Sequence, residues 1–247
     1  MFLRSFEIKP EATVSEIVLF DYRTSEVFQK YNIEYCCGGK FPLSTACMMK
    51  GLDLEEVKKE LEKTIQISQL PAKLDFENWD IDFLTHYIVN VHHSYLKKEL
   101  PVILGLVADF MEDHEKKYPQ MRQVHSLLTT LQEEMIPHME YKELVVFSYI
   151  HHLYTVYQTK DPFGKVLVNS LQKPMNIMTL HEQSLASIVL EIRRILNNYI
   201  APDRACISHK VAIYKLKEMD YDIIQHIYLE NSVLYPKVMK LEESILH

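Results

Sequence analysis

Glycine is scarce in this chain, with only 5 among 247 residues, and long stretches run without a turn signal. Domains rich in β-strands need frequent tight turns, where glycine is a favoured residue. Hydrophobic residues make up 47% of the chain, so it can bury a substantial core in one large domain or in two smaller ones. The few turn signals and the high apolar content together predict an all-α protein.

Further absences narrow the classes of function. No uninterrupted apolar run approaches the roughly 20 residues that span a bilayer. Residues 1–10 lack the apolar core of a signal peptide, so we expect a cytoplasmic protein without a membrane partner. The formal net charge is -7, and no basic patch alternates with aromatic residues. Nucleic acid is therefore not an expected partner, whereas a homodimer is left open.

Cysteine is also scarce, and three of the 4 cysteines, Cys36, Cys37 and Cys47, lie close together. Without an export signal, we expect reduced thiols rather than a disulfide framework. Adjacent cysteines close a disulfide only by straining the peptide between them, so Cys36 and Cys37 are either reduced or form a labile, redox-active bond. The alternative interpretation is two small buried apolar residues. A structural zinc site is disfavoured because no Cys-x-x-Cys pair or nearby histidine accompanies them, and Cys206 is assigned no role.

The first 74 residues form a small helical domain in this interpretation. Helical patterns cover residues 15–31 and 54–67, and Asp53 is a suitable N-cap for the second. The segment 69–73, which reads QLPAK, breaks the pattern. We therefore expect a domain boundary near residue 75.

The second predicted domain, residues 75–247, contains long helical patterns separated by proline-containing breaks. They cover residues 80–115, 120–157, 170–199 and 207–243. Four antiparallel helices with short connections form an up-down four-helix bundle, and Asp80 can cap the first of them. Pro101 is expected to kink that helix or to end it early.

A histidine interrupts the apolar stripe of each bundle helix. In the last helix, the stripe consists of Leu216, Met219, Ile223, His226, Glu230 and Val233. His226 and Glu230 are four residues apart, so both side chains project from one face and can reach a single ion or bridge two. His92, His138 and His181 interrupt the stripes of the first, second and third helices. For any single helix, the alternative is a core histidine bonded to a backbone carbonyl.

Burial of one histidine per helix together with a glutamate would cost several kcal/mol unless something pairs with them. A metal ion satisfies all these groups at once. Imidazoles with a carboxylate suit iron, manganese or zinc, and helix-bundle interiors are where di-iron carboxylate sites are built. The remaining histidines of the first helix, His86 and His93, share a face with polar residues and are interpreted as solvated surface.

Two segments resemble the hemerythrin-like iron–sulfur cluster repair proteins, which join a short cysteine-containing domain to a di-iron bundle. Residues 27–39 read VFQKYNIEYCCGG, which is similar to the signature of the N-terminal domain. Residues 226–236 read HIYLENSVLYP and are similar to the final metal-binding helix. The resemblance covers nearly the whole chain, and it implies iron as the cofactor. The implied iron ligands are His92, His138, His181, His226 and the bridging carboxylate Glu230.

One position departs from the family pattern. Where the family places a second bridging glutamate, four residues after the histidine of the second helix, this chain has Lys142. Glu143 points away from His138 unless a π-bulge re-aims it, and Glu134, one turn earlier, is a better-placed substitute. An inward Lys142 would weaken a second metal unless it pairs with Glu134 or Glu230 or loses its proton. We therefore expect a weakened or altered di-iron site.

The resemblance implies a non-haem iron protein that repairs iron–sulfur clusters damaged by oxidative or nitrosative stress. The bundle would serve as the iron reservoir, Cys36 and Cys37 would be the reactive residues, and damaged iron–sulfur proteins would be the partners. One alternative is binding, reduction or sensing of nitric oxide or oxygen at the iron, which includes an enzyme of the nitric oxide reductase type. Another is a structural bundle that has lost its metal, for which Lys142 is the only sequence support.

Overall fold

The computed structural model describes residues 8–21, 23–35, 40–66, 76–160, 172–203 and 205–246. The chain forms two compact units: Met1–Leu74 with Tyr199–Lys215, and Asp75–Asn198 with Leu216–His247. Across the described ranges, the regular structure is helical, apart from an isolated bridge between Thr13 and Pro42. The prediction of an all-α protein with a four-helix bundle is confirmed.

The N-terminal unit contains short helices. They are α1 (Val14–Phe20), α2 (Thr24–Lys30), α3 (Leu43–Lys50) and α4 (Leu54–Gln66). The single pattern predicted over 15–31 is two helices, because the chain turns to an extended conformation at Asp21, whose carboxylate accepts the backbone N–H of Arg23 at 3.1 Å. Asp53 caps α4 as predicted, accepting the backbone N–H of Glu55 at 2.8 Å.

Four long helices form the bundle, and three of them contain a π-helical turn. The first bundle helix comprises α5 (Ile81–Tyr87), a π-turn (Ile88–His93) and α6 (Ser94–His114); the second comprises α7 (Gln120–Tyr141), a π-turn (Lys142–Phe147) and α8 (Ser148–Thr159); the third is α9 (Gln172–Ile195); the fourth comprises α10 (Ile207–Tyr228), a π-turn (Leu229–Leu234) and α11 (Tyr235–Leu246). A short 3₁₀ turn, Phe76–Asn78, precedes the bundle.

Local sequence accounts for the start and the continuity of the first bundle helix. Asp80 caps α5 as predicted, since its carboxylate accepts the backbone N–H of Asp82 at 2.9 Å. Pro101 lies inside α6, which continues to His114, so the expectation of an early end is wrong. None of the described helices is long and apolar enough to cross a membrane.

The apolar stripes meet in the bundle core. All six residues of the predicted stripe in the last helix are buried. One layer of the core surrounds Leu84, Ile88, Phe147 and Leu234, and the single tryptophan, Trp79, packs against its edge. The bundle buries His92, His93, His138 and His226, whereas the side chain of His181 is 37% exposed.

Serine hydroxyls satisfy backbone carbonyls at two of the π-turns. Ser94 and Ser148 directly follow the first and second π-turns, and each hydroxyl donates to the carbonyl oxygen five residues earlier, on Val89 at 3.0 Å and on Glu143 at 3.3 Å. A π-turn leaves such carbonyls without their usual α-helical donor, so these hydroxyls help to stabilise the wider turn.

Candidate metal centre

Three buried side chains bring potential ligand atoms together in the bundle interior. They are His93 from the first helix, and His226 and Glu230 from the fourth, and their ligand atoms all lie within 4.8 Å of one another. The Nε2 atoms of His93 and His226 are 3.1 Å apart, and His226 Nε2 is also 3.1 Å from Glu230 Oε2. Two imidazoles and one carboxylate at this spacing match the donor set of a transition-metal site.

The interpretation of His93 as a solvated residue is wrong. His93 is fully buried, whereas His92, the predicted ligand, is buried outside this group. The Nδ1 atom of His92 bonds to Asp222 Oδ1 at 2.8 Å, and its ring stacks on that of His226 with 6.0 Å between centroids. The π-turn Ile88–His93 explains the burial of His93, because the extra residue breaks the regular helical period from which His93 was assigned to the surface.

A carboxylate from the second helix orients His93. Glu143 Oε1 lies 2.7 Å from His93 Nδ1, and both carboxylate oxygens of Glu143 accept from Lys97 at 2.9 Å. Glu143 lies in the π-turn that begins at Lys142, the circumstance under which the sequence allowed it to face inward. A carboxylate on Nδ1 fixes the tautomer that presents Nε2 to a metal.

The second and third helices contribute a neighbouring pair of histidines. His138 Nδ1 and His181 Nδ1 are 2.8 Å apart, and His138 Nε2 lies 3.9 Å from Glu182 Oε1. Glu134, proposed from the sequence as a substitute carboxylate, lies 3.7 Å from His181 Nε2 at the edge of the site. The structure thus brings His138 and His181 together beside the group formed by His93, His226 and Glu230.

Lys142 lies between two buried carboxylates. Its ammonium donates to Glu230 Oε2 at 2.5 Å and to Glu182 Oε1, and all three side chains are at most 1% exposed. The other oxygen of Glu182 accepts from the side-chain amide of Asn231. Lys142 therefore pairs with Glu230, as the sequence allowed, and with Glu182, which sequence reasoning missed, rather than with Glu134.

Burial and neighbouring charges shift the pKa values of these groups. Burial lowers the pKa of His93 to about 3, assisted by His226. Burial and the charge of Lys142 lower the pKa of His138 to about 3. Burial and the charge of Glu230 raise the pKa of Glu182 to about 7. Burial alone would raise the pKa of Glu230, but its contacts with His226 and Lys142 hold that pKa well below 4.5.

Polar atoms without hydrogen-bond partners support a cation at the group formed by His93, His226 and Glu230. Glu230 Oε1 is buried without a hydrogen-bond partner among the described residues, and so are His92 Nε2 and His138 Nε2 outside this group. Such groups are costly to leave unpaired, and a metal ion would satisfy a carboxylate oxygen and neutral imidazole nitrogens together. The lowered pKa of His93 keeps its imidazole neutral, which is the protonation state that binds a metal. His93, His226 and Glu230 therefore fit a metal ion.

A surface pocket of about 430 Å³ reaches the Lys142 side of the site, where Glu182, Asn231 and Tyr235 line it. The hydroxyl of Tyr235 is buried, and burial together with the charges of Glu230 and Glu182 raises its pKa well above 10. Tyr235 is therefore a neutral hydroxyl that can donate a hydrogen bond near these carboxylates.

A separate set of potential ligands lies near the bundle surface. Asp82, His86 and His151 bring their ligand atoms within 4.8 Å of one another. His151 Nδ1 bonds to Asp82 Oδ1 at 2.6 Å, and His151 Nε2 is 3.2 Å from the hydroxyl of Thr85. His86 is exposed, as predicted from the sequence. Hydrogen bonds within the protein account for this group.

The predicted reactive cysteines, Cys36 and Cys37, lie outside the described residues. Cys47 is described, and it is buried in the core of the N-terminal unit with Phe28 and Leu43. Burial raises the pKa of its thiol, and the charge of Asp53 adds to that effect. Cys47 therefore behaves as a core residue rather than as an accessible thiolate.

The fold and this group of ligands define a cation-binding helical bundle. The model of the hemerythrin HHE cation binding domain matches residues 85–238, and the chain belongs to this family. A domain of unknown function (DUF542) matches residues 10–65.

Curated relatives match almost the whole chain. The iron-sulfur cluster repair protein YtfE of Shigella boydii is 27% identical over 226 residues, which cover 92% of this chain and 96% of that protein. The protein of the same name from Citrobacter koseri is 27% identical over 235 residues, which cover 95% and 98% of the two chains. The one from Escherichia coli O8 is 27% identical over 92% of this chain.

Proposed function

We propose that this protein holds iron in its bundle and repairs iron–sulfur clusters damaged by oxidative or nitrosative stress, by donating iron to them. The observation that carries the proposal is the buried group of His93, His226 and Glu230. The names of the curated relatives support cluster repair. This chain carries both family matches, at residues 10–65 and at residues 85–238. His138 and His181, which the sequence also predicted as ligands, lie beside this group and are proposed as positions through which the ion passes during transfer.

The donor set favours an ion that is held but can be released. We infer that a site with neutral imidazoles and few carboxylates can hold divalent iron while still releasing it. The pocket beside Glu182 and Asn231 offers a path between the site and the surface. When bound, iron supplies the ion that a damaged cluster has lost. The protein's own residues hold that ion away from water and fix the orientation of the His93 ring.

Cys36 and Cys37 are proposed as the reactive residues that mediate transfer to, or docking with, the damaged iron–sulfur protein. Vicinal thiols can bind iron and can undergo thiol exchange, and the two following glycines permit close approach of a partner. Iodoacetamide labelling of the folded protein is expected to modify both thiols. Two unreactive thiols would contradict this role.

The test is repair in a purified system. An iron–sulfur dehydratase is inactivated with peroxide or nitric oxide, and the iron-loaded full-length protein is added without air. We expect the dehydratase to recover activity, and we expect less recovery with His226→Ala, which removes a proposed ligand, or with Cys36→Ser. Recovery that free ferrous iron matches at equal concentration would refute the repair role.

Binding or reduction of nitric oxide or oxygen at the iron is the second candidate. The pocket of about 430 Å³, which ends at Glu182 and Tyr235, favours it because a gas ligand needs a route to the metal. A spectral change of the iron-loaded protein with nitric oxide, without any rescue of the dehydratase, would favour this candidate over repair.

A further inference from the structure

Two groups of ligand-type side chains lie next to each other in the bundle, and Lys142 joins them. The first group is His93, His226 and Glu230, and the second contains His138 and Glu182. The ammonium of Lys142 donates to one carboxylate of each group. An ammonium in hydrogen-bond contact with both carboxylates occupies the position from which a metal ion would bridge them.

We propose that Lys142 is a built-in cation that replaces a second metal, so that the protein binds one metal ion per chain, on His93, His226 and Glu230. This inference rests on the iron site proposed above and deepens it. The family resemblance implies two irons, and the residues of this chain fit only the first of them.

Charge balance supports a single metal. One ammonium against two carboxylates leaves one negative charge, and a first divalent cation already overcompensates it. A second divalent cation would lie beside both the first ion and the ammonium in a fully buried site, where like charges repel strongly. It would also have to displace the ammonium from Glu182 or Glu230, which would leave the buried Lys142 with only one carboxylate partner.

The ligand geometry agrees with the charge balance. Glu182 uses one oxygen for Lys142 and the other for the side-chain amide of Asn231, so neither of its oxygens is free for a metal. Glu230 uses only Oε2 for Lys142, and its Oε1, 4.0 Å from His93 Nε2, has no hydrogen-bond partner among the described residues. The free carboxylate oxygen thus faces the first group.

Metal analysis of the full-length protein tests this inference. The chain is freed of metal with a chelator, titrated with ferrous iron without air, and separated from unbound metal before the metal content is measured. Cobalt(II), whose absorption reports its ligands, is titrated in parallel. We expect one ion per chain for the wild type and two for Lys142→Glu, with release to a chelator slowed roughly tenfold or more in that variant.

Matched histidine variants locate the ion. We expect His138→Ala to keep one ion per chain and His226→Ala to lose it, since only the latter histidine belongs to the first group. Fluorescence of Trp79, the only tryptophan, checks that the bundle of each variant is folded. If Lys142→Glu does not fold, the wild type and the two histidine variants still decide the question.

Four outcomes would overturn the inference. Two tightly bound ions in the wild type would show that Lys142 does not fill the second position. A single ion that is lost in His138→Ala but kept in His226→Ala would place the metal in the other group. A folded Lys142→Glu protein with one ion would remove the role of the ammonium. Absence of any bound ion in the wild type would refute the proposed iron site itself, and with it the inference.

Discussion

Replacement of Lys142 by methionine is expected to destabilise the metal-free bundle. Methionine fills a similar volume but removes the ammonium that both Glu182 and Glu230 contact. Removal of one partner from a buried ion pair costs about 3–5 kcal/mol, because the remaining charge is left buried. Glu182 can relieve part of this cost by taking up a proton, since its pKa is already raised to about 7.

Proton uptake makes the cost depend on pH. Lys142 lowers the pKa of Glu182 against the effect of burial, so its loss raises that pKa further. The native variant then binds more protons than the native wild type above pH 7, and its stability falls more steeply as the pH rises. We expect a loss of about 3–5 kcal/mol at pH 8, and a loss smaller by roughly 1–2 kcal/mol at pH 6.

Urea unfolding of the full-length, chelator-treated protein provides the measurement. Trp79 is the only tryptophan and packs at the edge of the bundle core, so its fluorescence reports the bundle rather than the N-terminal unit. The control is Lys142→Met with Glu182→Gln, which removes the charges of Lys142 and Glu182 but keeps that of Glu230, and it is expected to recover part of the lost stability. A single variant as stable as the wild type at pH 8 would refute the reasoning, as would additive effects of the two changes.

Three further predictions concern the surroundings of the site. Glu143→Gln is expected to weaken metal binding by roughly 10- to 100-fold, because the His93 ring loses its carboxylate partner; unchanged competition with a chelator would contradict this. His93→Ala is expected to abolish tight metal binding and His92→Ala to retain it, and the reverse result in metal analysis would restore the ligand choice made from the sequence. Glu182 has a raised pKa in the folded state, so its contribution to the stability of the metal-free protein is full below pH 4.5 and is lost as the pH rises through about 7. The stability difference between the wild type and Glu182→Gln is therefore expected to shift by about 3 kcal/mol between pH 4.5 and pH 8, and a difference independent of pH would be inconsistent with this shift.

Apolar periodicity was sufficient to predict the helices and most of the core. The stripe of the last helix is fully buried. His226 and Glu230 share a face because they are four residues apart, and the helix is regular as far as Tyr228, just before the π-turn begins. Asp53 and Asp80 cap the helices whose starts they were predicted to cap. These features depend on local chemistry and on a single period of 3.6 residues, and both can be read from the sequence.

The choice between His92 and His93 could not be made in this way. Both residues lie at the end of a π-turn, where the period of 3.6 residues fails. The extra residue rotates His93 away from the polar residues with which that period grouped it. The spacing of Leu84 and Leu96 indicates the extra residue of the π-turn. They are both fully buried but twelve residues apart, a separation that places them about 120° apart around a regular α-helix. One residue accommodated in a π-turn reduces that angle to about 20°.

Glu182 was missed for a different reason. It directly follows His181, and adjacent residues in a helix point about 100° apart, so the stripe that contains His181 excludes it. Its inward position belongs to the buried stripe of this helix, which continues with Leu185, Val189, Ile192 and Leu196. Lys142 from the second helix and Asn231 from the fourth pair with its carboxylate.

The three π-turns also determine how the length of these helices can change in evolution. Removal of one residue from Ile88–His93, Lys142–Phe147 or Leu229–Leu234 would restore an ordinary α-helical turn. Everything beyond the deletion would then swing by about 100°, carrying apolar side chains out of the interior and polar ones into it. Shortening by a single residue is therefore more disruptive at these points than the loss of a residue from a surface loop. Related chains that lack one of these turns should be aligned with a gap there, so that residues on both sides of it are compared with their structural equivalents.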